Sequence, residues 1–201
     1  MRKIFLLFLF TSTTAILFAQ KETYEFTSYT PPAGWKKEVK ERTYTSYATI
    51  NQQKKTYCQL FIMLSTAGKG NIKEDFETEW QNLVASQYGV KEALNVTEPI
   101  TENGWEMKSA MGAFTFNNQN CAAAIVTMSG YNKVVSIVTV TNSEDYTSDI
   151  KNFLESVEMG KPSTDMPLIK TTTVPSANTK FAFTTTHFDD GWASTVQEDW
   201  V

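Results

Sequence analysis

The sequence predicts an α+β fold in which a mostly antiparallel sheet is covered by helices. Alternating or continuous apolar runs, separated by turn signals such as Asn103-Gly104, predict strands that are joined by hairpins. Apolar residues spaced three and four apart predict two amphipathic helices. Each helix has a polar N-cap candidate and a glycine after its end. Hairpin-linked strands with a few helices are typical of the α+β class.

The first half of the chain predicts three strand regions followed by one helix. The strand regions alternate aromatic, charged and apolar residues and cover 24–30, 36–50 and 57–64. The region 36–50 offers little apolar surface, so we expect one or two solvent-facing strands there. The apolar period then changes to that of a helix over about 72–88, with Asn71 as N-cap and Gly89 as the residue after its end.

The second half predicts a meander of strands closed by a second helix. Its strands are expected over 95–101, 105–116, 121–129 and 134–141. The last two runs are apolar at nearly every position, which predicts that both of their faces are covered. Ser143 is a candidate N-cap for a helix that ends at Gly160. The helix residues expected in the core are Phe76, Trp80, Leu83, Ile150, Phe153 and Leu154.

Residues 1–19 predict a secretory signal peptide. Arg2 and Lys3 precede an apolar run, and Ala19 is a small residue followed by a polar sequence. The run is too short and too rich in hydroxyl groups for the roughly 20 apolar residues of a spanning helix. We expect cleavage after Ala19 or, as second choice, after Gln20, and an exported or periplasmic mature chain with no membrane span.

Composition excludes several classes of partner. Removing Arg2 and Lys3 from the 18 basic residues leaves 16 against 22 acidic residues, a net charge of −6 for the mature chain. A nucleic-acid-binding domain needs a clustered basic face, and docking on anionic lipid needs a basic patch. The chain is also too apolar, at 41% hydrophobic residues, for intrinsic disorder. These features indicate one globular domain with some additional chain.

The order of these elements, together with a Pro-x-Gly-Trp turn at Pro32 to Trp35, resembles the PsbP-like superfamily. Its bacterial members include DcrB-like envelope proteins. The resemblance covers residues 23–159 and implies an α/β/α sandwich around an antiparallel sheet. It also implies a non-catalytic protein that acts through contacts with other proteins. We therefore assign the domain to residues 22–159.

The C-terminal residues predict a linker and the beginning of a second unit. Residues 160–179 are rich in proline, serine and threonine and show no apolar face, which is typical of a linker. Tyr24-x-Phe26-Thr27 before Gly34-Trp35 is echoed, 157 residues later, in the segment 180–201. That segment predicts either the start of a truncated second domain or an aromatic hairpin that matches by chance.

Few residues in this sequence suggest a disulfide, a metal site or a catalytic role. Cys58 and Cys121 allow one disulfide in an oxidising compartment, and two buried thiols are the alternative. His187, the single histidine, lies near Asp189 and Asp190, but zinc sites need three or four ligands, so we expect a turn there. We predict no catalytic, cofactor-binding or metal-binding residue and no cofactor.

Three other features allow a functional and a structural interpretation. The aromatic residues Trp35, Trp80 and Trp105 would suit a groove for an apolar or sugar ligand, although core packing is favoured. The loop 67–71 only superficially resembles a phosphate-binding loop, because the Gly-Lys-Ser/Thr pattern is absent. A hydrolase would need a pair of buried, close carboxylates, and no pair stands out in the sequence.

Together these observations predict an exported, non-catalytic module that acts through contacts with an unidentified protein. The first alternative is a carrier of a small apolar ligand, with a pocket of roughly 300 Å³ or more between sheet and helices. The second alternative is a hydrolase that uses carboxylates.

Overall fold

The computed structural model describes residues 20–162, whose main sheet is antiparallel at every pairing. The predicted α+β class is therefore confirmed. The strands of this sheet are β3 Lys36–Lys40, β4 Tyr44–Asn51, β5 Thr56–Met63, β6 Thr66–Ala67, β7 Ile100–Glu102, β8 Trp105–Phe116, β9 Gln119–Gly130 and β10 Lys133–Thr141. They follow the order β3-β4-β5-β10-β9-β8-β7, and β6 pairs with the beginning of β10.

A second, small sheet changes the prediction for the first strand. Residues 24–30 do not form one strand: β1 (Glu22–Tyr24) turns back into β2 (Thr27–Tyr29), and β2 also pairs with β11 (Glu158–Met159). The turn places Glu25 at a φ of 54°. The Glu25 carboxylate accepts hydrogen bonds from the backbone N–H and the hydroxyl of Ser65, at 2.7 and 3.0 Å. A distant contact, not a local glycine, accompanies this turn.

Helix α1 matches its prediction over 72–88. It runs as an α-helix over Ile72–Trp80, passes through a π-helical segment at Gln81–Ala85, and ends with an α-helical turn at Ser86–Tyr88. Asn71 caps it by accepting a hydrogen bond from the N–H of Lys73 at 2.9 Å. Gly89 follows with a left-handed φ of 68°, which a glycine adopts at low cost.

Helix α2 begins where it was predicted and ends earlier. Ser143 caps a 3₁₀ turn at Glu144–Tyr146, which continues as the α-helix Thr147–Glu155. The helix does not extend to Gly160, because the chain leaves it to form β11. The N–H of Gly160 instead donates to the carbonyl of Phe26 at 2.8 Å.

Two further strand predictions need correction. Strand β3 is exposed as predicted, but Thr45 and Tyr47 in β4 are buried because the layer that contains α2 covers them, and Ser46 is buried on the α1 face, where it pairs with Phe61. Of residues 95–101, only the last two belong to β7. Leu94, just before this range, joins β8 by an isolated bridge to Met111. Pro99, which lacks a backbone donor, directly precedes β7.

Helices lie on both faces of the main sheet, which gives the predicted α/β/α arrangement. We name the two sides of the sheet the α1 face and the α2 face. Phe76 and Val84 of the first helical segment pack on the α1 face, whereas Phe153 packs on the α2 face with Tyr29 from the small sheet. Phe76 and Phe153 are buried as predicted. The other four helix residues expected in the core are only half-buried, namely Trp80, Leu83, Ile150 and Leu154. Within residues 20–162, no helix is long and apolar enough to cross a membrane.

Candidate protein-contact surface

The α2 face of the sheet is covered at one end and open at the other. One row of directly paired residues crosses the sheet from β4 to the bridged residue beside β8. Its members, in order, are Tyr47, Leu60, Thr139, Ala124, Met111 and Leu94. Paired residues in an antiparallel ladder point to the same face. Their exposed fractions are 2% for Tyr47, 0% for Leu60 and 5% for Thr139, and then 36% for Met111 and 45% for Leu94. The covering layer therefore ends between β10 and β8.

We call the uncovered area the open face. It lies on β9, on β8 and on the residues beside β8, and its members are Leu94, Ile100, Met111, Ala113, Ala122 and Ala124. Ile100 is the most exposed large apolar residue among those described, at 62%. Contiguous exposed apolar surface on a soluble protein marks a contact site more often than scattered single residues do.

Small side chains form the floor of the open face. Ala113 and Ala122 pair directly across β8 and β9, and Ala124 pairs with Met111. Because alanine projects little from the sheet, the backbone there stays accessible to a partner side chain. Leu94 and Met111 exchange both backbone hydrogen bonds, at 2.6 and 2.9 Å, and project beside this floor.

The sequence prediction missed this surface. The apolar run 121–129 was expected to be covered on both faces, whereas Ala122, Ala124 and Val126 are only half-buried. The size of the side chains, and not their hydropathy, distinguishes the uncovered part of the sheet from the covered part. Alanine occupies positions where the covered part of the same sheet has Leu60, Ile62 and Ile137.

Acidic residues lie near the open face. Glu102 pairs with Trp105 and so lies on the same face, Glu98 is exposed just before β7, and Asp149 is exposed on α2. Burial raises the pKa of the Cys58 thiol on the α2 face of β5, and the nearby Asp149 charge raises it further. Lys108 of β8 points to the opposite side, where its Nζ lies 5.5 Å from the ring centre of Phe76. Glu102 and Asp149 therefore place negative charge near the open face.

The three tryptophans do not share a groove. Trp105 is 1% exposed, stacks on Phe26 and donates from Nε1 to the carbonyl of Gly160 at 3.1 Å. Trp35 belongs to the same core and meets the ring of Tyr146 edge-on. Trp80 packs on the α1 face. They are core residues on both sides of the sheet, as favoured by the sequence.

Two carboxylates from one side of helix α1 reach the sheet. Asp75 is 3% exposed and accepts from the hydroxyl of Ser129 at 2.6 Å, and Glu79 accepts from the hydroxyl of Ser136 at 2.9 Å. Burial raises the pKa of Glu79, and the nearby Asp75 charge raises it further. Thr127 and Ser136 beneath the helix are fully buried, so a substrate has no space between them and the acids. This pair fastens the helix to the sheet.

The loop before α1 binds its own helix. The backbone N–H of Lys69 donates to the Asp75 carboxylate at 2.9 Å. This N–H is therefore already engaged and is not available to bind a phosphate. A depression of 380 Å³ lies beside it on the outer side of α1. Polar and charged residues line it, among them Lys69, Glu74 and Glu77, and it is not between the sheet and a helix. It does not suit an apolar cargo.

The two cysteines are free thiols on opposite faces of the sheet. Cys121 lies within 3.4 Å of the hydroxyl of Tyr57, whose ring packs on the α1 face. Cys58 follows Tyr57 on β5 and therefore points to the α2 face. The disulfide alternative is wrong for this fold. His187, Asp189 and Asp190 lie outside the described residues; within those residues, no group of three or more His, Cys, Asp or Glu side chains is arranged to hold a metal ion.

Comparison with solved structures finds similarity to two named proteins. Cyanobacterial PsbP from Synechocystis has a TM-score of 0.47 and 11% identity, over 75% of this chain and 99% of its own. LpqN of Mycobacterium tuberculosis, described as involved in cell envelope biogenesis, has a TM-score of 0.46 and 11% identity. That match covers 67% of this chain and 83% of LpqN.

A third solved structure, from Bacteroides thetaiotaomicron, has a TM-score of 0.41 and 13% identity. The match covers 68% of this chain and 46% of that one. No family model and no curated protein matches the sequence. At these identities and TM-scores, the PsbP-like resemblance concerns the fold alone.

Proposed function

We propose that this protein is an exported, non-catalytic module that acts by binding another protein through the open face. The observation that carries the proposal is the row from Tyr47 to Leu94, in which exposure rises from 2% at one end to 45% at the other and the exposed end consists of apolar residues. The solvated face of an antiparallel sheet is usually polar, so the exposed side chains of Leu94, Ile100 and Met111 favour a contact with a partner.

The remaining chemistry supports a binding role over a catalytic one. Asp75 and Glu79 are engaged by sheet hydroxyls, and the Cys58 thiol is buried with its pKa raised to about 12. A thiol in that state is a poor nucleophile, because the thiolate is the reactive form. Export rests on the leader expected over residues 1–19.

Site-specific photocrosslinking in the exporting cell tests this proposal. A photoreactive residue at Met111 should give a defined adduct with another protein, and Leu94→Lys should remove the adduct while leaving the melting temperature unchanged. Matched control positions are Val39, 54% exposed on the opposite sheet edge, and Phe116, 51% exposed on the α1 side. The same adducts at all three positions, or none at Met111, would contradict the proposal.

A further inference from the structure

We infer that the open face receives a single amphipathic helix of a partner protein, whose polar flanks are basic. This inference rests on the proposed function, because it names the partner class of the same surface. The chain already covers the other half of the α2 face with a helix of nine residues, Thr147–Glu155. The partner helix would complete that layer.

The dimensions of the open face fit one helix. It spans two strands and the bridged residues beside them, which at roughly 4.8 Å per strand spacing gives a width of roughly 10–14 Å. Along the strands the open face extends from Ile100, which pairs with the core residue Met107, to Ala113, and these six residues of β8 at roughly 3.3 Å give a length of roughly 20 Å. A helix with its side chains is about 10–12 Å wide and rises 1.5 Å per residue, so about 13 residues would cover the surface.

The floor of alanines explains how a helix would be held. A helix with leucine or phenylalanine at positions i, i+3, i+4 and i+7 presents bulky side chains on one side. Such side chains need space above the sheet, which Ala113, Ala122 and Ala124 provide and which leucines in their place would fill. Leu94, Met111 and Ile100 then pack along one side of the helix.

The negative charge near the open face favours a basic partner helix over a second copy of this chain. Glu102 lies on the α2 face beside the open face, and Asp149 is exposed on α2 near Cys58 of the same face, while the adjacent Lys91 and Glu92 cancel each other. A second copy of this chain would bring these acids against the same acids, which is unfavourable. Lysine or arginine on the flanks of a partner helix would pair with them.

The edge of the sheet beside the open face is a poor template for an added strand. Pro99 has no N–H to donate, and Asn95 has a φ of 51°, which interrupts an extended backbone. The opposite edge is β3, where Lys36, Lys37 and Lys40 discourage pairing. A helix on the face is therefore favoured over a strand at the edge.

The test uses the mature chain, residues 20–201, labelled with ¹³C at its methionine methyl groups. The probes are three synthetic 14-residue peptides. One has a leucine face with lysine flanks, one has the same leucine face with glutamate flanks, and one has the lysine flanks with two central prolines that prevent a helix. We expect the first peptide to shift the Met111 methyl signal and to leave that of Met63, on the α1 face, unchanged. It should bind about tenfold more tightly than the glutamate peptide at low salt, with the difference shrinking as salt is added.

Charge reversal provides the decisive comparison. Glu102→Lys combined with Asp149→Lys should invert the preference between the two peptides, whereas Glu77→Lys on the outer side of α1 should not. Equal binding of both peptides at Met111 would overturn the inference and leave the contact surface standing. If no peptide shifts Met111 and Leu94→Lys also has no effect in the cell, the proposed function fails as well. Tighter binding of the proline peptide, of phosphatidylcholine vesicles or of a second copy in sedimentation would each overturn the helix assignment.

Discussion

Glu79 accepts a hydrogen bond from Ser136 at 2.9 Å and so joins helix α1 to the middle of the sheet. One turn earlier, Asp75 makes the equivalent contact with Ser129 at 2.6 Å. Ser136 Oγ is also 3.2 Å from Thr127 Oγ1, so the hydroxyls of β9 and β10 form a polar line beneath the helix. These contacts determine which side of α1 faces the core.

Glu79→Gln should stabilise the protein at neutral pH. Burial raises the pKa of Glu79, so the folded state binds its proton more tightly than the unfolded state does. The stability from this group is complete below the unfolded pKa and is lost as pH rises through the folded pKa. Glutamine keeps an acceptor for Ser136 without the charge.

Thermal melts between pH 4 and 8 measure this effect. The variant should melt higher than the wild type at pH 8, and the gap should close toward pH 4. Glu77→Gln, an exposed acid of the same helix, is the matched control and should show no such convergence. A destabilised Glu79→Gln at pH 8 would mean that the charged form is the one the fold prefers.

Gly112→Ala should destabilise the fold. A methyl group at Gly112 would overlap Cγ1 of Val90 and would lie 3.2 Å from the Trp80 ring. Overpacking of this kind costs about 1–3 kcal/mol. Chemical unfolding should show a loss of that size, and Val90→Ala in the same chain should recover part of it. Ala113→Ser, at the neighbouring position on the open face, should change stability little.

Hydropathy patterns predicted most elements of this fold, and the errors come from contacts between distant residues. The period of α1, its cap at Asn71 and the hairpin at Asn103-Gly104 are local and were predicted correctly. The turn at Glu25 accompanies hydrogen bonds to Ser65, forty residues away, which no local pattern shows. The open face depends on how far α2 reaches across the sheet, and the sequence around Ala122 and Ala124 reports only that both residues are apolar.

The two thiols should remain reduced in the native protein. Cys58 is 0% exposed, burial raises its pKa to about 12, and Cys121 lies on the other face of the sheet. Thiol titration in denaturant should therefore find two free groups, and a reductant should leave the melting temperature unchanged. In a Cys121→Ser variant, alkylation of Cys58 at pH 8 should require unfolding. Rapid alkylation of folded protein would show that β5 opens locally.

Processing should remove the leader expected over residues 1–19. Mass spectrometry of the exported protein should find Gln20 or Lys21 at the N-terminus. The folded unit tolerates either site, because β1 begins at Glu22. Membrane-bound protein that retains Met1 would contradict cleavage.

Shortening the chain should show that the folded domain is independent of residues 163–201. Ending the chain at Pro162 keeps β11 and the carbonyl of Gly160, to which Trp105 donates. Ending it at Val157 removes both, and leaves a buried indole N–H unpaired at a cost of about 1–3 kcal/mol. We therefore expect the chains 20–162 and 20–201 to unfold at the same urea concentration, and the chain 20–157 to unfold at a lower one. The proline and threonine content of residues 160–179 supports this independence. If 20–162 were clearly less stable than 20–201, residues 163–201 would contribute to the first domain, and the interpretation of 180–201 as the start of a second unit would be wrong.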